Sequence, residues 1–288
     1  MNTVLKWVGS KARIMPKIIE HPPAGRRLVE PFAGSCAVMM STDFDEYMIA
    51  DVNADLINMY QQIKSHSEQF ILLAKSVFSE NNSEEAYYRI RKEFNKSAGL
   101  TLLVRAVYFL YLNRNGYRGM CRYNQKGDFN VPYGNYRHPY FPLEEIKAFA
   151  IKSQRAQIVC ADFKQTLSEV ISGDVVYCDP PYDGTFTGYS ADGFNAGDQA
   201  CLAGMLVHLS KDVVPVVVSN SDTQLVRELY AGFYIQQIEA PRSIGVVAGK
   251  GKSAVEIIAV ASPAAALWVG YDPAQGDLSA FVVSGVMA

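Results

Sequence analysis

An aspartate, two prolines and a tyrosine close an apolar run in the stretch VVYCDPPYDG, residues 175–184. Val175, Val176, Tyr177 and Cys178 have the character of a strand buried on both faces. Pro180 and Pro181 stop it, because neither can donate to a sheet ladder and each restricts the residue before it. Asp179 is thereby held at a strand's C-terminal end, the edge at which open α/β sheets bind ligands. A carboxylate there, together with the Pro180 carbonyl, can accept both protons of an amino group conjugated to a ring. Such a nitrogen is a poor nucleophile because its lone pair is delocalised. Holding its protons favours a more sp3-like geometry and aims the lone pair at an electrophile, while Tyr182 stacks on the ring. DPPY taken alone is also an ordinary strand-ending turn.

A second constellation bears on what the electrophile is. EPFAGS, residues 30–35, is a small-residue turn leaving a strand, and Asp51 ends the next apolar run. A glycine turn followed by an acid that hydrogen-bonds a ribose hydroxyl is the logic of nucleoside-containing cofactor sites. The chain has neither GxGxxG nor a Walker lysine at this turn, which favours a nucleoside such as S-adenosylmethionine over a dinucleotide or a triphosphate. Cys36, Cys121, Cys160, Cys178 and Cys201 form no CxxC pair. They read as free thiols, with no metal site.

The elements that must position these residues alternate between strand and helix. RLVEPFAGSCAV (27–38) and EYMIADVNADLINMY (46–60) read as strand, turn, strand and a helix capped by Asn53. AQIVCADFKQTLSEV (156–170), VVYCDPPYDG, VPVVVSNSDTQLVRELY (214–230) and IIAVAS (257–262) continue the rhythm. The expected fold is α/β, a doubly wound Rossmann-like core of residues 1–56 and 145–262 interrupted by a helical insertion, 57–144. Residues 263–288, rich in Ala, Gly and Val, carry no recognisable chemistry and are expected to be partly ordered.

Net charge is −2, which argues against indiscriminate coating of nucleic acid. Its distribution is uneven: between 105 and 138 stand Arg105, Arg114, Arg118, Arg122, Lys126 and Arg137 against Asp128 alone, interleaved with Tyr111, Tyr117, Tyr123, Phe129, Tyr133 and Tyr136. Cations mixed with aromatics suit a surface that neutralises phosphates and wedges between bases. They suit equally a solvated face over core aromatics. No apolar run approaches the roughly 20 residues of a membrane span, and MNTVLKWVGSK has no signal-peptide core. A cytoplasmic, monomeric enzyme is the expectation, with 49% hydrophobic residues to build its core.

With these residues in hand, the chain resembles the Dam-type DNA adenine-N6 methyltransferases of bacteria and phages. LKWVGSK (5–11), EPFAGS, ADVNADLI, FLYLNRNGYRGMCRYNQKGDFNVPYG (109–134), CDPPY and SNSDT occur in that family's order. NRNGYRGMCRYN is far more specific than DPPY. The resemblance implies an enzyme that moves a methyl group from S-adenosylmethionine to N6 of adenine in double-stranded DNA, at GATC, after flipping the base into a DPPY pocket. It implies that Trp7, Lys11, Asp51 and Asp179 line the cofactor and adenine pocket, that Phe32 and Gly34 shape the cofactor turn, and that Pro180 and Tyr182 complete the catalytic motif. Lys6 would reach the first base, Tyr117 would insert beside the flipped base, and Arg122 would read a guanine edge. Pro132 and Tyr136 would lie near the target bases, and Arg137 against a phosphate or plain surface.

Three departures stand out. Cys36 replaces a frequent glycine, Arg118 stands where asparagine is common, and Met120 where leucine is common. Alternatives within the same chemistry are cytosine-N4 or protein-glutamine methylation; outside it, a DNA-binding module without turnover.

Overall fold

The apolar runs become strands β1 (Arg27–Glu30), β2 (Glu46–Asp51), β3 (Ala156–Cys160), β4 (Asp174–Cys178), β5 (Val216–Ser221), β6 (Tyr234–Pro241) and β7 (Ser253–Ala261). They are seen in a computed structural model that describes residues 3–7, 9–11, 23–96, 99–182, 194–241 and 253–261; the expectation for residues 263–288 lies outside these. The sheet order is β3-β2-β1-β4-β5-β7-β6. Strands β1 to β5 are parallel, whereas β7 runs antiparallel between β5 and β6.

Strand alternation divides the interior into two layers. Leu28, Tyr47, Val175, Tyr177 and Val217 face one core, and their neighbours Val29, Met48, Val176, Cys178 and Val218 face the other. Helices α1 (Ala37–Ser41), α2 (Ala54–Ser65), α3 (Ser67–Glu80), α4 (Glu84–Lys96), α5 (Leu102–Asn115) and α6 (Leu143–Lys152) contribute to the first core. Helices α7 (Phe163–Ser168), α8 (Ala196–Lys211) and α9 (Gln224–Leu229) contribute to the second. Helices on both faces of a largely parallel sheet make the doubly wound, Rossmann-like architecture, with α2 to α6 falling between β2 and β3.

That order dictates where a ligand can sit. The chain steps from β1 outward to β2 and β3, then returns to lay β4 beside β1. The loops after β1 and β4 therefore diverge and leave a crevice, the topological switch point. EPFAGS follows β1 and DPPY follows β4, so both motifs open onto it. At the opposite end Arg27 donates from Nε and Nη2 to the two oxygens of buried Asp174, at 3.0 and 2.6 Å. This bidentate pair pins the register of the two strands beneath the crevice.

Asn53 caps α2, accepting from the backbone N–H groups of Asp55 and Leu56. Helix α5 is buried along most of its length and delivers Asn113, Arg114 and Asn115 to the start of the basic, aromatic loop. No described helix is long and apolar enough to cross a membrane.

Candidate active site and nucleic-acid face

Trp7, Ser10 and Lys11 of the N-terminal segment reach into the crevice and touch its parts. Gly34 has φ +46°, and a Cβ there would come within 2.8 Å of Trp7 Nε1, so the indole packs directly on the glycine turn. Ser10 Oγ and Ser35 Oγ share a hydrogen bond of 2.9 Å. Lys11 is buried, with Nζ 3.5 Å from Asp179 Oδ1, 3.0 Å from Glu256 Oε2 and 4.4 Å from the centre of the Tyr182 ring.

Asp179 stands at the end of β4 with 24% of its side chain exposed. Its Oδ1 accepts from Ser219 Oγ at 2.5 Å, leaving Oδ2 without a hydrogen-bond partner among the described residues. Burial raises its pKa, and the opposing pull of Lys11 and the Ser219 hydroxyl does not cancel that rise. Tyr182 donates to Glu256 Oε2 at 2.8 Å, and burial holds its phenol well above the usual range.

On the neighbouring turn Asp51 accepts from the backbone of Asn53 at 2.9 Å and of Gly34 at 3.1 Å. Burial pushes its pKa up, countered by these N–H groups. The ring of Phe32 stacks on Phe163 at 5.8 Å and 23°. Cys36 keeps the left-handed backbone, with φ 55° and ψ 33°, despite its side chain. A residue with a side chain thus adopts the left-handed backbone here, at a cost of roughly 1–2 kcal/mol.

The loop after α5 is a two-stranded ribbon. Tyr117 N–H donates to Pro132 O, Asn130 N–H to Arg122 O and Asn124 N–H to Asp128 O, at 2.8 to 3.0 Å. Its inner side is gripped by α4: Tyr87 Oη and Arg91 Nη1 donate to Val131 O, and Asn95 exchanges two hydrogen bonds with the backbone of Phe129. Tyr123 Oη donates to Asp55 Oδ2 at 2.7 Å. Its outer side presents Tyr117, 44% exposed, with Arg118, Pro132 and Arg137 also exposed. Met120 is half-buried against the first core.

Arg122 donates from Nε to Asn130 Oδ1 at 2.8 Å, which fixes the plane of its guanidinium. Arg118 has φ 55° and donates its N–H to Tyr136 Oη. Asparagine tolerates that left-handed conformation better than arginine. Lys6 is joined to this loop: its backbone exchanges hydrogen bonds with the Asn113 amide, and its Nζ lies 3.9 Å from the centre of the Tyr136 ring. Gly119 makes the approach possible, since a Cβ there would meet Lys6 Cβ at 2.2 Å.

Part of the basic, aromatic composition turns inward. Arg114 is buried and donates to Thr3 O and Val4 O, and Arg105 pairs with Asp55 at 2.5 Å. Tyr111 and Phe129 are core residues. Tyr117, Arg118, Lys126 and Arg137 are exposed and Arg122 is half-buried, while Tyr123 and Phe129 tie the ribbon to the body of the protein.

A model of the D12 class N6 adenine-specific DNA methyltransferases matches residues 7–244. The chain belongs to that family. The methyltransferase is 58% identical over 276 residues to the retron Ec67 DNA adenine methylase of Escherichia coli, covering 96% of each chain. It is 43% identical to a DNA adenine methylase of Vibrio cholerae and 42% identical to that of Escherichia coli strain K12, covering 90% of this chain and 95% of the relative in both cases. It is a DNA adenine methyltransferase, which sets aside the cytosine, glutamine and non-enzymatic alternatives.

Sequence reasoning assigned no role to Ser219, Glu256 or Glu30 of the methyltransferase, although all three belong to the crevice. Glu30 is buried at the end of β1, accepts from Met39 N–H at 2.9 Å, and is pushed by burial to a pKa of about 8. The folded state thus keeps a proton that the unfolded chain releases near the ordinary value of 4.5. Glu30's contribution is fully present below that value and is lost as pH rises towards about 8. Between pH 6 and 8.5 the stability lost should amount to roughly 2–3 kcal/mol. Glu30→Gln keeps the acceptor for Met39 and should abolish that dependence, read as urea midpoints at the two pH values. Equal slopes for both proteins would contradict a buried, titrating Glu30.

Proposed function

We propose that the enzyme transfers a methyl group from S-adenosylmethionine to N6 of the adenine in duplex GATC, with the base flipped into the pocket formed by Asp179, Pro180 and Tyr182. The observation that carries this reading is the Asp179 carboxylate at the switch point, its Oδ2 without a hydrogen-bond partner among the described residues, and the Tyr182 ring beneath the same Lys11 ammonium.

The crevice suits the cofactor. Asp51 has about four lone-pair positions, two of them taken by backbone N–H groups, so a ribose diol can be accommodated. Trp7, Phe32 and Gly34 lie at the same turn, and Lys11 stands beside Asp179 across the crevice. When bound, S-adenosylmethionine supplies a methyl group on a positively charged sulfur. Asp179 Oδ2 and the Pro180 carbonyl accept the two protons of the amino group and hold its lone pair toward that methyl. Accepting the methyl group would give the nitrogen positive charge, which the Asp179 carboxylate would stabilise. The surplus proton then leaves, and Asp179, with its raised pKa, is a competent acceptor for it.

On the ribbon Arg122 takes a guanine edge through the guanidinium hydrogens that Asn130 leaves over, since bidentate arginine matches O6 and N7. Lys6 reaches the first base, with Pro132 and Tyr136 beside the target. Arg118, Met120 and Arg137 complete the DNA face, the two cations against phosphates. Tyr117, exposed at the ribbon's base, fills the space left by the flipped adenine.

Replacing the target adenine by 2-aminopurine tests the extrusion step. Its fluorescence should change when the enzyme binds, and Tyr117→Ala should diminish that change and slow methylation of ordinary GATC duplex about tenfold or more. A probe whose intensity and lifetime are untouched by wild-type enzyme would mean that the base stays stacked.

A further inference from the structure

We infer that Glu256 is a positioning residue of the methyl-transfer site, acting on Tyr182 and Lys11 together; the inference rests on the pocket reading just given. Glu256 lies in β7, opposite Ser221 of β5, in the otherwise apolar run AVEIIAVA. Because β7 runs antiparallel to β5, its N-terminal half meets the C-terminal edge of the parallel strands. A carboxylate is thereby carried to the crevice from a strand that contributes neither motif. Its side chain is only 13% exposed, and burying a charge to that degree is costly without partners.

Both partners belong to the site. One is the Tyr182 hydroxyl, donating to Oε2 at 2.8 Å; the other is the Lys11 ammonium, 3.0 Å from the same oxygen. The first contact fixes the ring against which the target base is to stack. Tyr182 follows two prolines at the end of a strand, and the hydroxyl contact is one that ties its ring to the sheet.

The second contact decides how Asp179 is used. Lys11 Nζ stands between two carboxylates, closer to Glu256 than to Asp179 at 3.5 Å. An ammonium drawn fully onto Asp179 would compete with the adenine amino group for the same oxygens. Glu256 holds that charge back and so leaves Asp179 available, while Lys11, 3.5 Å away, still favours the ionised carboxylate.

Glu256→Gln preserves volume and still accepts from Tyr182 through its amide oxygen, but loses the charge that holds Lys11. With saturating S-adenosylmethionine and GATC duplex, its single-turnover rate should fall about 10- to 100-fold, the worth of a hydrogen bond to a charged group. Affinity for duplex lacking GATC should stay within about threefold, because no phosphate-binding side chain is altered. Tyr182→Phe, which removes the other contact to the same oxygen, should lose a comparable factor.

Wild-type enzyme that transfers no methyl to GATC would refute the pocket reading itself. Wild-type transfer with a Glu256→Gln rate within twofold of it would refute the role of Glu256 alone. Should Glu256→Gln not fold, Tyr182→Phe decides: a rate within twofold of wild type would equally overturn the inference.

Discussion

Asp179→Ala is expected to lower methyl transfer to GATC duplex by roughly 10²- to 10⁴-fold, about 3–5 kcal/mol of transition-state stabilisation. The size follows from the geometry: a charged acceptor at the end of β4, mostly withdrawn from water, faces a nitrogen that becomes positive only as the bond forms. The fold should survive, because Lys11 keeps its 3.0 Å pair with Glu256 and Ser219 can turn its hydroxyl to the Cys178 carbonyl, 3.5 Å away. Binding of S-adenosylmethionine should change much less than the rate. The rate–pH profile adds a second reading. Asp179 works as the carboxylate and its pKa is raised by burial, so the rate should fall as pH drops toward a value above the ordinary aspartate range. Turnover of Asp179→Ala near the wild-type rate would remove Asp179 from the mechanism.

Arg122→Ala is expected to cost roughly 1–3 kcal/mol of discrimination at a single base pair, about 5- to 150-fold, while binding to unrelated duplex weakens far less. Asn130 is the reason for expecting the upper part of that range. It holds Arg122 Nε at 2.8 Å, so the guanidinium enters the groove already oriented and little rotamer entropy remains to be lost. Competition binding against duplexes carrying each single-base change in GATC measures this. Uniform weakening across all of them, with a reduced salt slope, would make Arg122 a phosphate contact instead.

The parts of this site that were legible in the sequence are those whose chemistry is local. DPPY needs only a strand and two prolines to present Asp179. Asn53 caps its helix through the residues that follow it, and β1, β4 and β5 read as strands because burial on both faces leaves continuous apolar runs. What the sequence could not disclose depends on pairings between distant segments. Glu256 reaches Lys11 because β7 inserts antiparallel between β5 and β6, a choice of topology rather than of local pattern. Arg105 and Arg114 count as cations in any composition, yet Asp55 and the carbonyls of Thr3 and Val4 draw them inward. Charge counting cannot tell which side of a helix a cation takes. Cys36 and Arg118 depart from the residues expected at left-handed positions, and both keep that backbone. Sequence identifies such departures, but whether the chain bends to accommodate them is settled by the packing around Gly34 and Tyr136.

The central claim is adenine-N6 methylation confined to GATC, and its most direct measurement is a base-resolved map of N6-methyladenine in the DNA of a methylation-free bacterial host expressing the protein. Methylation is expected at GATC on both strands, with other adenines at background, and is expected to be lost with Asp179→Ala at equal protein level. Methylation at a different sequence, or on cytosine, or an unmethylated genome in the presence of folded wild-type protein, would contradict it.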